Sequence, residues 1–314
     1  MQIQENIALK DKNWFKTAGA ARFYCEPETT SDFQTAINFA HEKELEVFVL
    51  GCGANLLISD EGFSGLVIST LKFNQLELGI EDESLVKASA GIEIQVLINK
   101  CLEKNLIGLE DFSGIPGTVG GSAYINIHYF DKFLSDFIVG ATVLDKQTGD
   151  IEEVDKEWFE YGYDSSKLMN GKYLLLDLTL KLNKTDAIET AYAKGRSDEI
   201  IRQRNSRYPI KNTCGSFFRN FLSEEVNFET NGSKILNVAY YLDKIGVKGD
   251  LKVGNAVVSA RHANMIETSE GATSSDVINL AVKMQELVKE KYGIVPQPEC
   301  QLIGFNTNPF SQIA

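Results

Sequence analysis

The chain has 314 residues and a mass of 34.9 kDa, with 43 % apolar and 24 % charged residues. That is the mix of a soluble globular protein long enough for two or three domains. Its 31 Lys+Arg against 44 Asp+Glu leave a formal charge of −13, which argues against general nucleic-acid or anionic-membrane binding. No apolar run approaches the roughly 20 residues that span a bilayer. Five widely spaced cysteines without a C-x-x-C, and only three histidines, leave little material for a disulfide framework or a metal site. With an N-terminus that lacks a secretory pattern, they point to a reducing cytoplasm.

Along the chain, Ser31 is placed to cap a helix in which Phe33, Ala36, Ile37 and Ala40 share one face. A strand over 46–50 breaks at Gly51-Cys52-Gly53-Ala54-Asn55, and Leu56-Leu57-Ile58 reads as strand again. A second strand, 85–90, leads to a helix with Ile94, Leu97, Ile98, Cys101 and Leu102 on one side. Its end runs into Gly114-Ile115-Pro116-Gly117-Thr118-Val119-Gly120-Gly121-Ser122. Strands follow over 138–144 and 173–182, with a hairpin-like turn at Thr148-Gly149-Asp150. A helix over 186–207 stops before Tyr208-Pro209, because the residue preceding proline disfavours helix. The last third predicts a helix near 274–292, stopped by Gly293, and a strand over 294–303. Domain boundaries are expected near 72 and 185.

The two glycine loops carry the first functional signal. Consecutive N–H groups over 51–55 can form a nest for a pyrophosphate; an ordinary strand-ending turn is the alternative. Leu56 stands where a Rossmann fingerprint would place its last glycine, and strand follows where helix should, so that fold is disfavoured. The stretch 114–121 has four glycines and one proline in eight residues. Backbone packed on a flat ligand such as an isoalloxazine explains it, as does a tight buried crossover. Two such loops at the ends of two α/β units favour a dinucleotide held by backbone.

Ordered motifs along the chain resemble one family, the UDP-N-acetylenolpyruvoylglucosamine reductases (MurB). They are Asn13-Trp14-Phe15-Lys16-Thr17-Ala18-Gly19, Leu50 to Leu57, Gly108-Leu109-Glu110 with Gly114 to Gly121, Cys214-Gly215-Ser216-Phe217-Phe218-Arg219-Asn220, Ala256-Val257-Val258-Ser259 with His262-Ala263-Asn264, and Pro298 to Gly304. The resemblance covers about residues 10–305 and fits the shorter of the family's two forms. It implies an α+β protein: a PCMH/vanillyl-alcohol-oxidase-type FAD-binding fold of two α+β subdomains (1–72 and 73–185), a MurB-type substrate domain (186–306) and a tail (307–314). It implies non-covalent FAD, NADPH as reductant, and reduction of UDP-N-acetylglucosamine enolpyruvate to UDP-N-acetylmuramate for peptidoglycan. A cytoplasmic monomer is expected.

The resemblance places FAD on Gly51, Cys52, Gly53, Ala54, Asn55, Leu56, Gly114, Ile115, Pro116, Gly117, Thr118, Gly120, Gly121, Ser122 and Asn126. Ser216 matches the family's proton donor and Glu299 its catalytic glutamate; read locally, a turn serine and a solvated strand-edge charge are the alternatives. Tyr163, Arg204 and Arg219 are the substrate-binding candidates. Seven Lys/Arg between 194 and 219, against Asp198 and Glu199 alone, form a positive island suited to phosphate. Three departures fall in one expected pocket. Tyr163-Asp164-Ser165-Ser166 lacks the usual arginine, Asn126-Ile127-His128-Tyr129-Phe130 replaces a small loop with rings beside the expected flavin, and Cys300-Gln301 removes another cation. Arg219, then Arg204, would have to compensate. Another PCMH-fold flavin oxidoreductase, or a flavin- or nucleotide-binding relative without full activity, are the alternatives.

Overall fold

The computed structural model describes residues 1–17, 19–80, 82–230 and 232–311. They divide into two compact units, one of Met1–Glu5, Phe23–Cys52 and Gly65–Arg204, the other of the described residues in Asn6–Arg22, Gly53–Ser64 and Asn205–Ala314. The architecture is α+β. Among the described residues no helix is long and apolar enough to cross a membrane.

In the first unit, helix α1 (Thr30–Glu42) is capped by Thr29, not Ser31. Thr29 and Asp32 bond each other's backbone N–H in a capping box, which fixes the start two residues earlier than a Ser31 cap would. Its Phe33, Ala36, Ile37 and Ala40 pack on Leu66 and Ile68. Strand Val47–Leu50 lies parallel to Phe63–Ser69, in register from Val47↔Leu66 to Leu50↔Ser69. A five-stranded antiparallel sheet takes the order Ile151–Asp155, Ile138–Asp145, Tyr173–Lys181, Leu85–Ser89, Leu76–Leu78. Strand Tyr173–Lys181 is buried on both faces: Leu174 and Leu176 join the cluster under α1, Leu175 and Leu178 a second cluster with α2 (Ile94–Glu103). That is why it carries Leu174-Leu175-Leu176 in succession instead of a strict alternation. Helix α3 (Val119–Tyr124) begins inside the second glycine loop.

Helix α4 (Ala187–Arg207) buries only Thr190, Ala193 and Ser197. Up to Arg204 it belongs to this first unit, held by polar contacts and not by an apolar stripe. Arg196 pairs with buried Glu110, and Ser197 Oγ lies 2.7 Å from Ser113 Oγ. Burial pushes the Glu110 carboxyl up, but the Gly108 N–H at 2.6 Å and Arg196 outweigh it and hold the group below its ordinary value.

The second unit contains a parallel pair, Leu56–Ile58 with Gln301–Ile303, and a small antiparallel sheet of Lys252–Val253, Ala256–Val258 and Ile266–Thr268. Helix α5 (Val238–Ile245) and helix α6 (Ser274–Tyr292) cover a core that includes Phe15, Phe217, Phe218, Tyr241 and Met284. Thr273 caps α6 and Gly293, at φ 70°, ends it. The strand expected over 294–303 shrinks to Gln301–Ile303, since Pro296 and Pro298 have no N–H for a ladder.

Candidate functional site

The amides of residues 51–55 donate to no protein acceptor among the described residues, as an anion nest requires. Gly51 and Cys52 belong to the first unit. A Cβ on Gly51 would lie 2.7 Å from Thr118 Oγ1, so only glycine lets this loop reach the second one. Burial, then Glu93, pushes the Cys52 thiol up to about 11, which keeps it protonated and unsuited to nucleophilic work.

The second loop uses its backbone differently from the expectation. Val119 N–H bonds Ile92 O at 2.8 Å, Gly120 N–H bonds Ala90 O at 2.8 Å, and Ser122 N–H bonds Thr118 O at 2.8 Å. Gly121 N–H donates to Thr118 Oγ1 at 3.2 Å, and Gly114 N–H to Gln95 Oε1 at 2.8 Å. Among the described residues only Gly117 and Thr118 keep amides without a protein acceptor. A Cβ on Gly120 would lie 2.9 Å from Ala90 Cβ. Gly120 therefore makes room for the chain's own strand end. Ile115 is half-buried, Pro116 is exposed and Ser122 is buried.

Gly53 to Leu56 lie in the second unit. Gly53, at φ 65°, packs on Asn13, whose Cα would stand 2.7 Å from an added Cβ, and Trp14 N–H bonds Gly53 O at 3.0 Å. Asn13 Nδ2 donates to Leu9 O and Thr17 O. Along these touching segments the buried oxygens of Asn13, Thr17 and Asn55 have no partner among the described residues. Unpaired buried acceptors cost free energy; hydroxyl donors beside a phosphate nest would satisfy them. This donor and acceptor set fits a dinucleotide such as FAD. Leu56 sits in strand against Gln301, and Gln301 N–H bonds Asn55 O at 3.2 Å.

The same strand end brings Ser216 and Glu299 together. Glu299 N–H bonds Phe217 O at 2.9 Å, Arg219 N–H bonds Gln297 O at 3.0 Å, and Phe218 pairs with Pro298. On the other side Phe217 N–H bonds Asn264 O at 2.8 Å, while the Asn264 side chain accepts from Phe218 N and donates to Phe218 O. Asn264 thus clamps the segment that carries Ser216, a role the His262-Ala263-Asn264 motif hinted at without assigning it. Ser216 and Glu299 are both half-buried.

The remaining candidates are engaged by the protein itself. Asn126 donates to Gly162 O at 3.1 Å and accepts from Ser135 N–H at 3.1 Å, so its amide braces the 162–165 turn. Arg219 holds Glu225 through both guanidinium nitrogens at 2.8 and 2.7 Å, and that fork draws the Glu225 carboxyl below its ordinary value. Arg204 Nε donates to Gly114 O at 3.1 Å and steadies the glycine loop. Arg202 pairs with Glu199. The positive island is thus neutralised at Arg196, Arg202 and Arg219. Tyr163 is exposed, with its ring 4.6 Å from that of His128. Tyr129 and Phe130 turn toward α4, where they line an open cavity of about 620 Å³ with Tyr192, Arg196 and Ile200.

Comparisons with known proteins point one way. Residues 21–155 match the FAD binding domain family, and residues 206–303 match the C-terminal domain of UDP-N-acetylenolpyruvoylglucosamine reductase. The UDP-N-acetylenolpyruvoylglucosamine reductase of Synechocystis sp. is 32 % identical over 305 residues, covering 96 % of this chain and 91 % of its own. That of Clostridium novyi is 30 % identical over 304 residues, covering 96 % and 92 %. The crystal structure of the reductase (MurB) from Thermus caldophilus matches with a TM-score of 0.78 at 26 % identity, over 96 % of this chain and 99 % of that one.

Proposed function

The chain belongs to the UDP-N-acetylenolpyruvoylglucosamine reductase family, and on that premise we propose that it reduces UDP-N-acetylglucosamine enolpyruvate to UDP-N-acetylmuramate in the cytoplasm, as a monomer. Its resident cofactor is FAD and its reductant NADPH. When bound, FAD supplies the hydride for the vinyl carbon, having been reduced by NADPH. The amides of Gly51 and Cys52, with Gly117 and Thr118, are the residues that would hold its phosphates.

The observation that carries the reading is the pairing of the Ser216 and Glu299 segments through Glu299 N–H and Phe217 O at 2.9 Å. As negative charge grows beside the substrate carboxylate, a positioned acid must protonate the adjacent carbon. Ser216 Oγ is that donor. A serine is a weak acid in water, so its contribution depends on placement, which Asn264 supports by gripping Phe218 on both backbone groups. Glu299 orients groups at the same carbon. Arg204 acts on the loop at Gly114, and Arg219 keeps the 219–225 segment in shape for substrate.

The purified protein should be yellow with non-covalent FAD, bleach under anaerobic NADPH, and recover its colour on addition of the UDP-enolpyruvyl sugar. A colourless protein that takes up no FAD overturns the reading. Bleaching without recovery would mean a different flavin oxidoreductase, and no bleaching a relative without turnover.

A further inference from the structure

The His128–Phe133 hairpin turns through Phe130 and Asp131, with Tyr129 opposite Lys132. Two-residue hairpin turns favour glycine where φ is positive, yet Phe130 stands there at φ 55°. A bulky side chain in that conformation costs the fold energy. Its ring is 82 % exposed, so burial does not offset the strain. The ring meets that of Tyr129 edge-on, with centroids 4.7 Å apart.

A second unfavourable residue lines the same cavity. Gly195 stands in the middle of α4, where glycine is the poorest helix former short of proline. Beyond the helix's own backbone an added Cβ would meet no atom within 4 Å, so no packing within the chain requires the glycine. Phe130 and Gly195 both line the open cavity of about 620 Å³, a volume in the range of small-molecule pockets. Tyr192, another exposed ring, joins them three residues before Gly195. All of these residues lie in the first unit. Strain at the hairpin tip and a gap in the helix thus converge on one hollow, the pattern expected where stability has yielded to binding.

Charge selects the ligand. The cations of the wall each carry a carboxylate already: Lys132 pairs with Asp111, and Arg196 with Glu110. That leaves little to hold an anion. Asp131, at the hairpin tip, makes no ion pair or hydrogen bond among the described residues. Three aromatic rings and one uncommitted carboxylate on the same wall attract a cation, because the negative ring faces add to the field of the acid. The formal charge of −13 on the chain works in the same direction.

We propose that this cavity binds a small organic cation, an alkylammonium whose apolar stem lies over Gly195 and whose head is held by the rings of Tyr129, Phe130 and Tyr192 and by Asp131. The proposal does not depend on the reductase reading, since no reacting atom takes part.

The test titrates FAD-loaded protein with n-butylammonium and follows the ligand by proton NMR. Its methylene signals should move upfield as they come over the ring faces, and n-butanol, the neutral isostere, should bind about 10-fold more weakly. Asp131→Asn and Phe130→Gly should each weaken butylammonium by about 5–10-fold. Gly195→Leu, which fills the floor, should remove the shift. Phe130→Gly and Gly195→Leu should keep or raise the urea midpoint, because each puts a locally favoured residue in place of an unfavoured one; lost binding then cannot be ascribed to unfolding. No shift with butylammonium, equal binding of butanol, or wild-type affinity in Gly195→Leu overturns the proposal. So does a lowered midpoint in both variants, which would assign Phe130 and Gly195 to the fold. Tighter binding of Nα-acetyl-lysine amide than of butylammonium overturns the free ligand in favour of a lysine side chain of another protein.

Discussion

Ser216 gains its meaning from its neighbours' backbone. Glu299 N–H on Phe217 O and the Asn264 clamp on Phe218 hold the serine segment from two sides, so replacing the hydroxyl should leave the segment in place. Ser216→Ala should therefore leave bleaching by NADPH nearly intact and slow the return of colour with substrate by about 10²–10⁴-fold, measured by stopped flow. Equal slowing of both half-reactions would mean that Ser216 shapes the site without donating the proton. Arg219 shows the opposite case. Its position three residues after Ser216 suggests a substrate cation, yet its guanidinium is matched to Glu225, six residues on. Glu225 was visible in the sequence; that its carboxylate takes both nitrogens of the fork was not.

The second glycine loop is an element more than a surface. Thr118 caps α3, Val119 and Gly120 bond back to Ile92 and Ala90, and Gly120 leaves no space for a Cβ beside Ala90. Overpacking a tight contact typically costs about 1–3 kcal/mol. Gly120→Val should lower the urea midpoint of flavin-stripped protein accordingly, with flavin lost as a consequence of the disturbed loop. A flavin-stripped variant with an unchanged midpoint but no FAD binding would return Gly120 to the cofactor surface. Gly51 differs, because its missing Cβ faces Thr118 Oγ1 at 2.7 Å; it joins one loop to the other.

For the whole molecule, His262 sets an acid limit. Burial first, then Lys248 and Arg207, lower its pKa from 6.5 to about 4, and its Nδ1 has no partner among the described residues. As pH falls below 6.5 the unfolded chain takes up a proton that the folded chain refuses until about 4. The stability tied to neutral His262 is thus complete above 6.5 and lost progressively down to about 4, a loss of about 3 kcal/mol. Urea unfolding across this window should show the decline, and His262→Gln should flatten it. An unchanged slope in the variant would assign the acid loss to other groups.

By itself the sequence determined what local chemistry controls. Apolar period, caps and proline placed α1, α2, α4 and α6, because each depends on residues within a turn or two, although the capping box moved the cap of α1 to Thr29; the short helices α3 and α5 were not read from the sequence. The order of the glycine loops, Ser216 and Glu299 identified the family and the dinucleotide chemistry. Only the tertiary structure decided which groups remain available. Arg196 meets Glu110 across 86 residues, and Asn126 braces Gly162 across 36. Gly120 faces Ala90, and residues 6–22 and 53–64 join the unit built from the C-terminal third. His128 finds Asp164. A side chain's charge is written in its own residue type, but its neutralisation depends on which distant segment the fold brings within about 4 Å, and no local pattern encodes that distance.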